Sequence, residues 1–283
     1  MKQENIKKRQ NEDFMLKCQY VSRYFYNKAE ILNYVVWGIC ILSAFTIFLP
    51  DTNSWYILGL PLLLDIIGCI FESRLEKCVS TAAKLRNYFD AYVLDLNVST
   101  YSDTDIREIK NIIIKIVAKN QNKCNTQISN TGNDTPPGVR DWYEFSHPFS
   151  DEAVQFECME QNCWWDKELS KVDILLHILF GVIILLLMLV FLHLNIWKNI
   201  LRILLCSGIL LKIGERVYTN IKYYILSLQI DAVEKVVSSS KTEPNLLHLQ
   251  SLIEQRRTLP KLKSNFLHRY LANKLSEEYR NIS

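Results

Sequence analysis

Two strongly apolar hairpins, about 120 residues apart, constrain this chain more than any other feature. The first runs from Tyr34 to Leu49, turns at Pro50-Asp51-Thr52-Asn53-Ser54 and returns from Trp55 to Phe71. The second runs from Val172 to Leu194, turns near Asn195–Asn199 and returns from Ile200 to Ile213. A bilayer core about 30 Å thick needs roughly 20 apolar helical residues to cross it. Val172–Leu194 meets that length, and Ile183–Leu192 holds no polar side chain. The other three segments are shorter, and each reaches spanning length by extending into an adjoining helix. The pattern predicts an all-α membrane protein, with four transmembrane helices in two hairpins and a mostly helical cytosolic domain.

A buried hairpin in a soluble helical protein is the competing reading. Composition does not separate the two, since 49% hydrophobic and 22% charged residues are ordinary for a globular chain. Segregation favours the membrane. The apolar segments hold few ionisable residues (Asp65, Asp173, His177, His193, Arg202, Lys212), while the remainder is densely charged. The first 30 residues are polar and unlike a cleavable signal peptide. Arg74, Lys77, Lys167, Lys171, Lys212 and Arg216 flank the spans on one side, whereas the turn after the first span has no Lys or Arg. Positive residues near span ends stay in the cytosol. The expected order is therefore a cytosolic helix 1–33, hairpin 34–71, middle domain 72–171, hairpin 172–213 and C-terminal helices 214–283.

Elsewhere, apolar periodicity predicts helices. Ile6, Phe14, Cys18, Val21, Phe25 and Leu32 mark one face of the first, which has no Gly or Pro before Gly38. Glu72–Leu96 continues the second span. Asp103-Thr104-Asp105 supplies an Asp or Thr cap for a third helix. Residues 120–140 are polar and turn-rich and read as a long exposed loop. Asp151–Lys171 reads as helix, as do Gly214–Val237, Leu246–Leu259 and Leu262–Tyr279. Tyr92–Val98 is the best local strand candidate. The eight cysteines have no Cys-x-x-Cys pair, so a zinc site or disulfide framework is not expected.

The densest group of unusual residues runs from Arg140-Asp141-Trp142-Tyr143 to Cys163-Trp164-Trp165-Asp166. It is either an aromatic core or a pocket in which rings stack a base and Arg140 holds phosphate. The basic segment around Arg256, Arg257, Lys261 and Lys263 is the other candidate for a phosphate contact. In the spans, Asp65 follows Pro61 by four residues. A charge at that depth costs on the order of 3 kcal/mol and faces protein or a cavity. It either makes a structural hydrogen bond, to Ser207 or His177, or lines a pore. Arg202 and Lys212 are placed to snorkel to opposite surfaces. With eight glycines, the chain has no GxGxxG, P-loop, GxSxG or HExxH pattern, so no catalytic residue, cofactor or metal ligand is predicted.

Asp141-Trp142-Tyr143, followed by Gln161-Asn162-x-x-Trp165-Asp166 just before a membrane hairpin, resembles the SMODS-associated four-transmembrane effector family. Ile6-x-x-x-Gln10-Asn11 resembles that family's start, and the span order agrees over nearly the full length. The resemblance implies a bacterial anti-phage effector of the inner membrane, with a cyclic oligonucleotide and the lipid bilayer as partners, a homo-oligomer as the acting form, and no DNA. On this reading Arg140, Asp141, Trp142, Tyr143, Gln161, Asn162, Trp165 and Asp166 bind ligand, while Asp65, His177 and Arg202 line or gate a pore. A non-conducting membrane scaffold is the alternative.

Overall fold

The computed structural model describes residues 2–46, 56–145, 148–151, 153–161, 163–194 and 208–260. Among them the chain is helical and has no strand. In order come α1 (Lys2–Gln10), α2 (Asp13–Phe45), α3 (Tyr56–Leu94), a 3₁₀ turn (Val98–Thr100), α4 (Asp103–Lys119), α5 (Gln121–Ser129), α6 (Val154–Gln161), α7 (Trp164–Leu194), α8 (Gly208–Ser239) and α9 (Glu243–Thr258).

Several boundaries differ from the sequence reading. The first helix breaks at Asn11-Glu12, because the Gln10 and Asn11 side chains bond to a distant segment. The cap of α4 is Ser102, one residue before the predicted Asp or Thr. Its hydroxyl accepts from the Asp105 amide, and the Asp105 carboxylate accepts from the Ser102 amide, forming a capping box. The strand candidate is overturned, since Tyr92–Leu94 are the last turn of α3. The Leu96 amide closes back onto the Ala91 carbonyl at 3.0 Å, and Asp95 and Asn97 take left-handed backbone, which Asp and Asn tolerate best after Gly.

The expected loop at 120–140 is half helix. Cys124, fully buried, anchors α5 to the core. The polar stretch beyond it folds back on itself, with the Gly138 amide bonded to Thr131 O at 2.6 Å and the Arg140 amide to Asn130 O at 3.0 Å. A Cβ at Gly138 would overlap the Asn130 backbone. Asp151–Lys171 is likewise two helices rather than one, with α6 and α7 divided near Cys163. The predicted helix Leu262–Tyr279 lies outside the described residues.

The chain forms two compact units. Unit 1 comprises Met1–Asn27, Cys78–Trp164 and Leu226–Leu259. Its core joins Leu16, Val21, Leu85, Phe89, Ile109, Tyr143, Met159, Ile230 and Leu249. In it α2 meets α3 closely. The Cys18 thiol donates to Leu85 O at 3.2 Å, and the Ser22 hydroxyl to Ala82 O at 2.9 Å.

Unit 2 comprises Lys28–Lys77, Trp165–Ile225 and Pro260–Ser283. Its small core is Val36, Cys40, Ile209 and Ile213. The pattern is inside out. Leu211 is 72% exposed while the adjacent Lys212 is 6% exposed. Phe45, Leu62, Ile66, Leu176, Leu186 and Val190 also face outward, whereas Ser43 and Arg216 are buried. Water does not select such a surface; hydrocarbon does. Among the described residues, Asp13–Phe45 is a helix long and apolar enough to cross a membrane, and Ile174–Leu187 is a shorter apolar helical stretch. The turns at 50–54 and 195–199, and the start of the fourth predicted span, lie outside the described residues.

Candidate functional site

In unit 1 three side-chain amides hold the segment Asp141–Glu144. The Asn11 amide donates to the Asp141 carboxylate at 2.7 Å and accepts from the Asp141 backbone at 3.1 Å. Gln10 accepts from the Tyr143 amide at 2.9 Å and donates to the Tyr143 carbonyl at 3.3 Å. Gln161 accepts from the Glu144 amide at 3.3 Å and donates to its carbonyl at 2.8 Å. Gln10 and Gln161 each present one donor and one acceptor, so each satisfies the N–H and C=O of one residue as a neighbouring strand would, while Asn11 joins the Asp141 N–H and carboxylate. The motifs Gln10-Asn11, Asp141-Trp142-Tyr143 and Gln161 thus form one clamp, within which Asp141 holds left-handed backbone.

Behind the clamp lies a buried polar network that sequence reasoning did not assemble. The Tyr143 hydroxyl donates to Asp90 Oδ1 at 2.7 Å, and its ring stacks on Phe89. Arg257 of α9 stands 2.6 Å from the other Asp90 oxygen. Arg86 donates to Gln19 at 2.6 Å, and its guanidinium lies 3.7 Å from the centre of the Trp142 ring. Burial pushes the Tyr143 hydroxyl well above its ordinary range, with the Asp90 charge adding to it. Burial, followed by the nearby Arg257 charge, lowers Arg86. Two guanidiniums around Asp90 make the region cationic at short range. Sequence separation hid Asp90 and Arg86, which read as ordinary members of α3; Arg257 was visible only as part of a basic segment.

The candidate residues therefore divide. Tyr143 is 1% exposed and serves the core, so its ring has no open face for a base. Trp142 is 36% exposed, with Arg86 on its ring. Arg140 is exposed, and its Nε donates to Ile128 O at 3.4 Å. Asp141 and Gln161 are engaged in the clamp. Trp165 and Asp166 lie in the first turn of α7. Asn162 and Arg202 lie outside the described residues.

In unit 2 the Asp65 carboxylate accepts from Ser43 at 3.1 Å. Ser43 is thus a partner the sequence reading did not name; of its two suggestions, Ser207 lies outside the described residues. A Cβ at Gly208 would stand 2.8 Å from Asp65 Oδ1, so the glycine lets α8 pass close to the acid. His177 packs against Trp37 with ring centres 5.9 Å apart. Lys212 does not snorkel: it is buried against Glu72 and lies 3.2 Å from Glu215. Arg216 joins Glu72 at 3.3 Å and Asn33 at 2.7 Å. Glu72, Glu76 and Glu215 gather carboxylate oxygens within 4.8 Å of one another, and Lys212 and Arg216 supply the opposing charge.

No curated protein and no solved structure matches this chain. One family model does, that of the SMODS-associating 4TM effector domain, over residues 4–282. That match takes in both units, the amide clamp and the inside-out helices, and the chain belongs to this family of four-transmembrane effector domains.

Proposed function

We propose that this protein is a membrane effector of bacterial anti-phage defence. A cyclic oligonucleotide sensed by unit 1 controls it, and unit 2, assembled as a homo-oligomer, permeabilises the inner membrane. The observation that carries this reading is the inverted polarity of unit 2, with leucines outside and Lys212, Arg216 and Ser43 inside. Such a surface suits lipid contact, and the interior ionisable groups give several assembled copies the means to line a polar path. The family supports the link to nucleotide signalling. The middle segment and both termini belong on the cytosolic side, where the Lys and Arg residues flank the spans. In unit 1, Trp142 with Arg86, the exposed Arg140 and the basic last turn of α9 offer stacking and phosphate contacts. Trp165, Asp166 and Asn162 stay in the proposed ligand set through the resemblance of their motif to the family's. In unit 2, Asp65, His177 and Arg202 are the polar groups proposed to gate or line the path. No catalytic step is assigned.

The test is release of a trapped dye from liposomes holding the purified chain, with cyclic di- and trinucleotides added outside and the protein inserted in both orientations. Nucleotide-dependent release supports the reading. An intact barrier under every nucleotide, with the protein shown to be inserted, points to a non-conducting scaffold. Reporter fusions supply the topology. Signals from the cytosol at Gly132 and Ser283 and from the periplasm at Asn53 are expected, and a periplasmic signal at Gly132 overturns the four-span order.

A further inference from the structure

Unit 1 carries a cleft of about 280 Å³, walled by α1, the end of α3, α6 and the start of α9. Lys2, Arg9 and Lys241 bring three cationic groups to it, against the acids Asp95 and Glu243. Arg9 is already committed. It donates to Tyr92 O at 3.1 Å, pairs with Asp95 at 3.0 Å and stacks over the Tyr92 ring. Lys2 and Lys241 are less so, although the Asp151 carboxylate accepts from the Lys2 backbone amide at 2.9 Å and is lowered in part by the Lys2 charge. Among the described residues neither ammonium forms an ion pair. Lys2 Nζ reaches Gln155 Oε1 at 3.5 Å, and Lys241 Nζ lies 5.8 Å from the Phe156 ring centre.

The floor is built rather than incidental. Gln155 is 7% exposed, and its Nε2 is fixed to Leu94 O at 2.6 Å. Asp95 and Asn97, in the turn that ends α3, both hold left-handed backbone. The 16-residue α9 opens at the cleft through Glu243 and Leu246, and the Thr242 side chain does not cap its first-turn amides. A helix start favours negative charge, which Glu243 in the first turn of α9 partly supplies, and Pro244 offers no amide there. Ile6, Val93 and Leu246, each almost fully buried, supply the apolar part of the lining.

We propose that this cleft takes a phosphodiester, held between Lys2 and Lys241 at the start of α9. The proposal rests on the reading of unit 1 as a nucleotide sensor and gives that sensor its anion site. The volume lies near the lower end for ligand sites, so it accepts one nucleotide unit while the rest of a cyclic oligonucleotide stays outside. A phosphate there bridges α1 and α9. The same α1 ends at Gln10 and the Asn11 clamp, so a ligand that draws Lys2 inward acts on the Asp141–Glu144 segment through one rigid helix.

A phospholipid headgroup carries the same phosphodiester, and the experiment must separate the two sources. Calorimetry of the purified full chain in detergent uses cyclic di-AMP, cyclic GMP–AMP and cyclic tri-AMP as probes, with phosphatidylglycerol nanodiscs as a competing arm. Lys2→Ala changes an exposed and Lys241→Ala a partly exposed side chain, and their melting temperatures serve as controls for folding. The expected result is binding of at least one nucleotide, weakened about tenfold by each substitution. Equal affinity in wild type and both variants overturns the cleft and leaves the sensor reading standing. No binding of any nucleotide by wild type overturns the sensor reading and the cleft with it. Nanodiscs that displace the nucleotide with the same lysine dependence assign the phosphodiester to lipid and overturn the nucleotide assignment.

Discussion

The Tyr143 hydroxyl donates to Asp90 Oδ1 at 2.7 Å, across 53 positions of sequence, and both residues are 1% exposed. With Arg257 at 2.6 Å on the other oxygen, the buried carboxylate is served from two elements at once. Tyr143→Phe removes one donor and keeps the ring on Phe89. The expected cost is about 1–3 kcal/mol, because a buried acceptor loses its partner. Arg257→Met leaves the charge of Asp90 unpaired and costs more, about 3–5 kcal/mol. The double variant Asp90→Asn/Arg257→Met falls short of the sum of its singles, since the residues share one network. Thermal unfolding in detergent reads all of these. An unchanged melting temperature for Tyr143→Phe speaks against the buried bond.

The amide clamp ranks by burial. Gln10 is 1% exposed and Asn11 partly exposed, so Gln10→Leu strands the Tyr143 N–H and C=O, while the Asn11→Ala site is open to water. Gln10→Leu is expected to cost about 1–3 kcal/mol and Asn11→Ala under about 1 kcal/mol. The reverse order, measured by denaturant unfolding, counts against the clamp.

Asp65 and Gly208 are coupled through contact. Gly208→Ala places a methyl 2.8 Å from the carboxylate and drives it off Ser43. That substitution should destabilise wild type and be nearly neutral in an Asp65→Ala background. If the penalty is equal in both backgrounds, the close approach is not its cause. Asp65→Leu is expected to insert at least as well as wild type and to lose dye release in liposomes. Full release from a well-inserted Asp65→Leu protein returns Asp65 to a structural role.

Glu234 in unit 1 is pushed up to about 7, first by burial and then by the Asp231 and Glu160 charges, with the Cys163 thiol opposing. Burial also raises Glu160 and Glu254. A carboxyl whose folded value exceeds its unfolded value binds more protons when folded. Its contribution is therefore complete below the unfolded range and is lost as pH rises through the folded value. Stability should fall between roughly pH 5 and pH 8, by on the order of 2 kcal/mol for Glu234. Glu234→Gln should flatten that slope and raise the melting temperature at the alkaline end. An identical slope in the variant assigns the effect to other groups.

Local pattern and local chemistry were legible in the sequence. Apolar spacing placed α2, α3, α4 and α8, because a helix face repeats every three or four residues whatever it packs against. The segregated apolar segments marked the part that shuns water, and motif order pointed to the family. Polar α5 was missed because Cys124 and Ile128 are too few anchors to show a period. The helix break at Asn11 was missed because its cause, Asp141, lies 130 positions away. Only the tertiary structure decided that Tyr143 belongs to the core, that Gln10 and Gln161 act as surrogate strand edges, that Asp65 meets Ser43, and that Lys212 turns inward to Glu72. Residue type fixes what a side chain is able to bond. Which buried partner it meets is settled when distant helices pack and every desolvated donor and acceptor has to be matched.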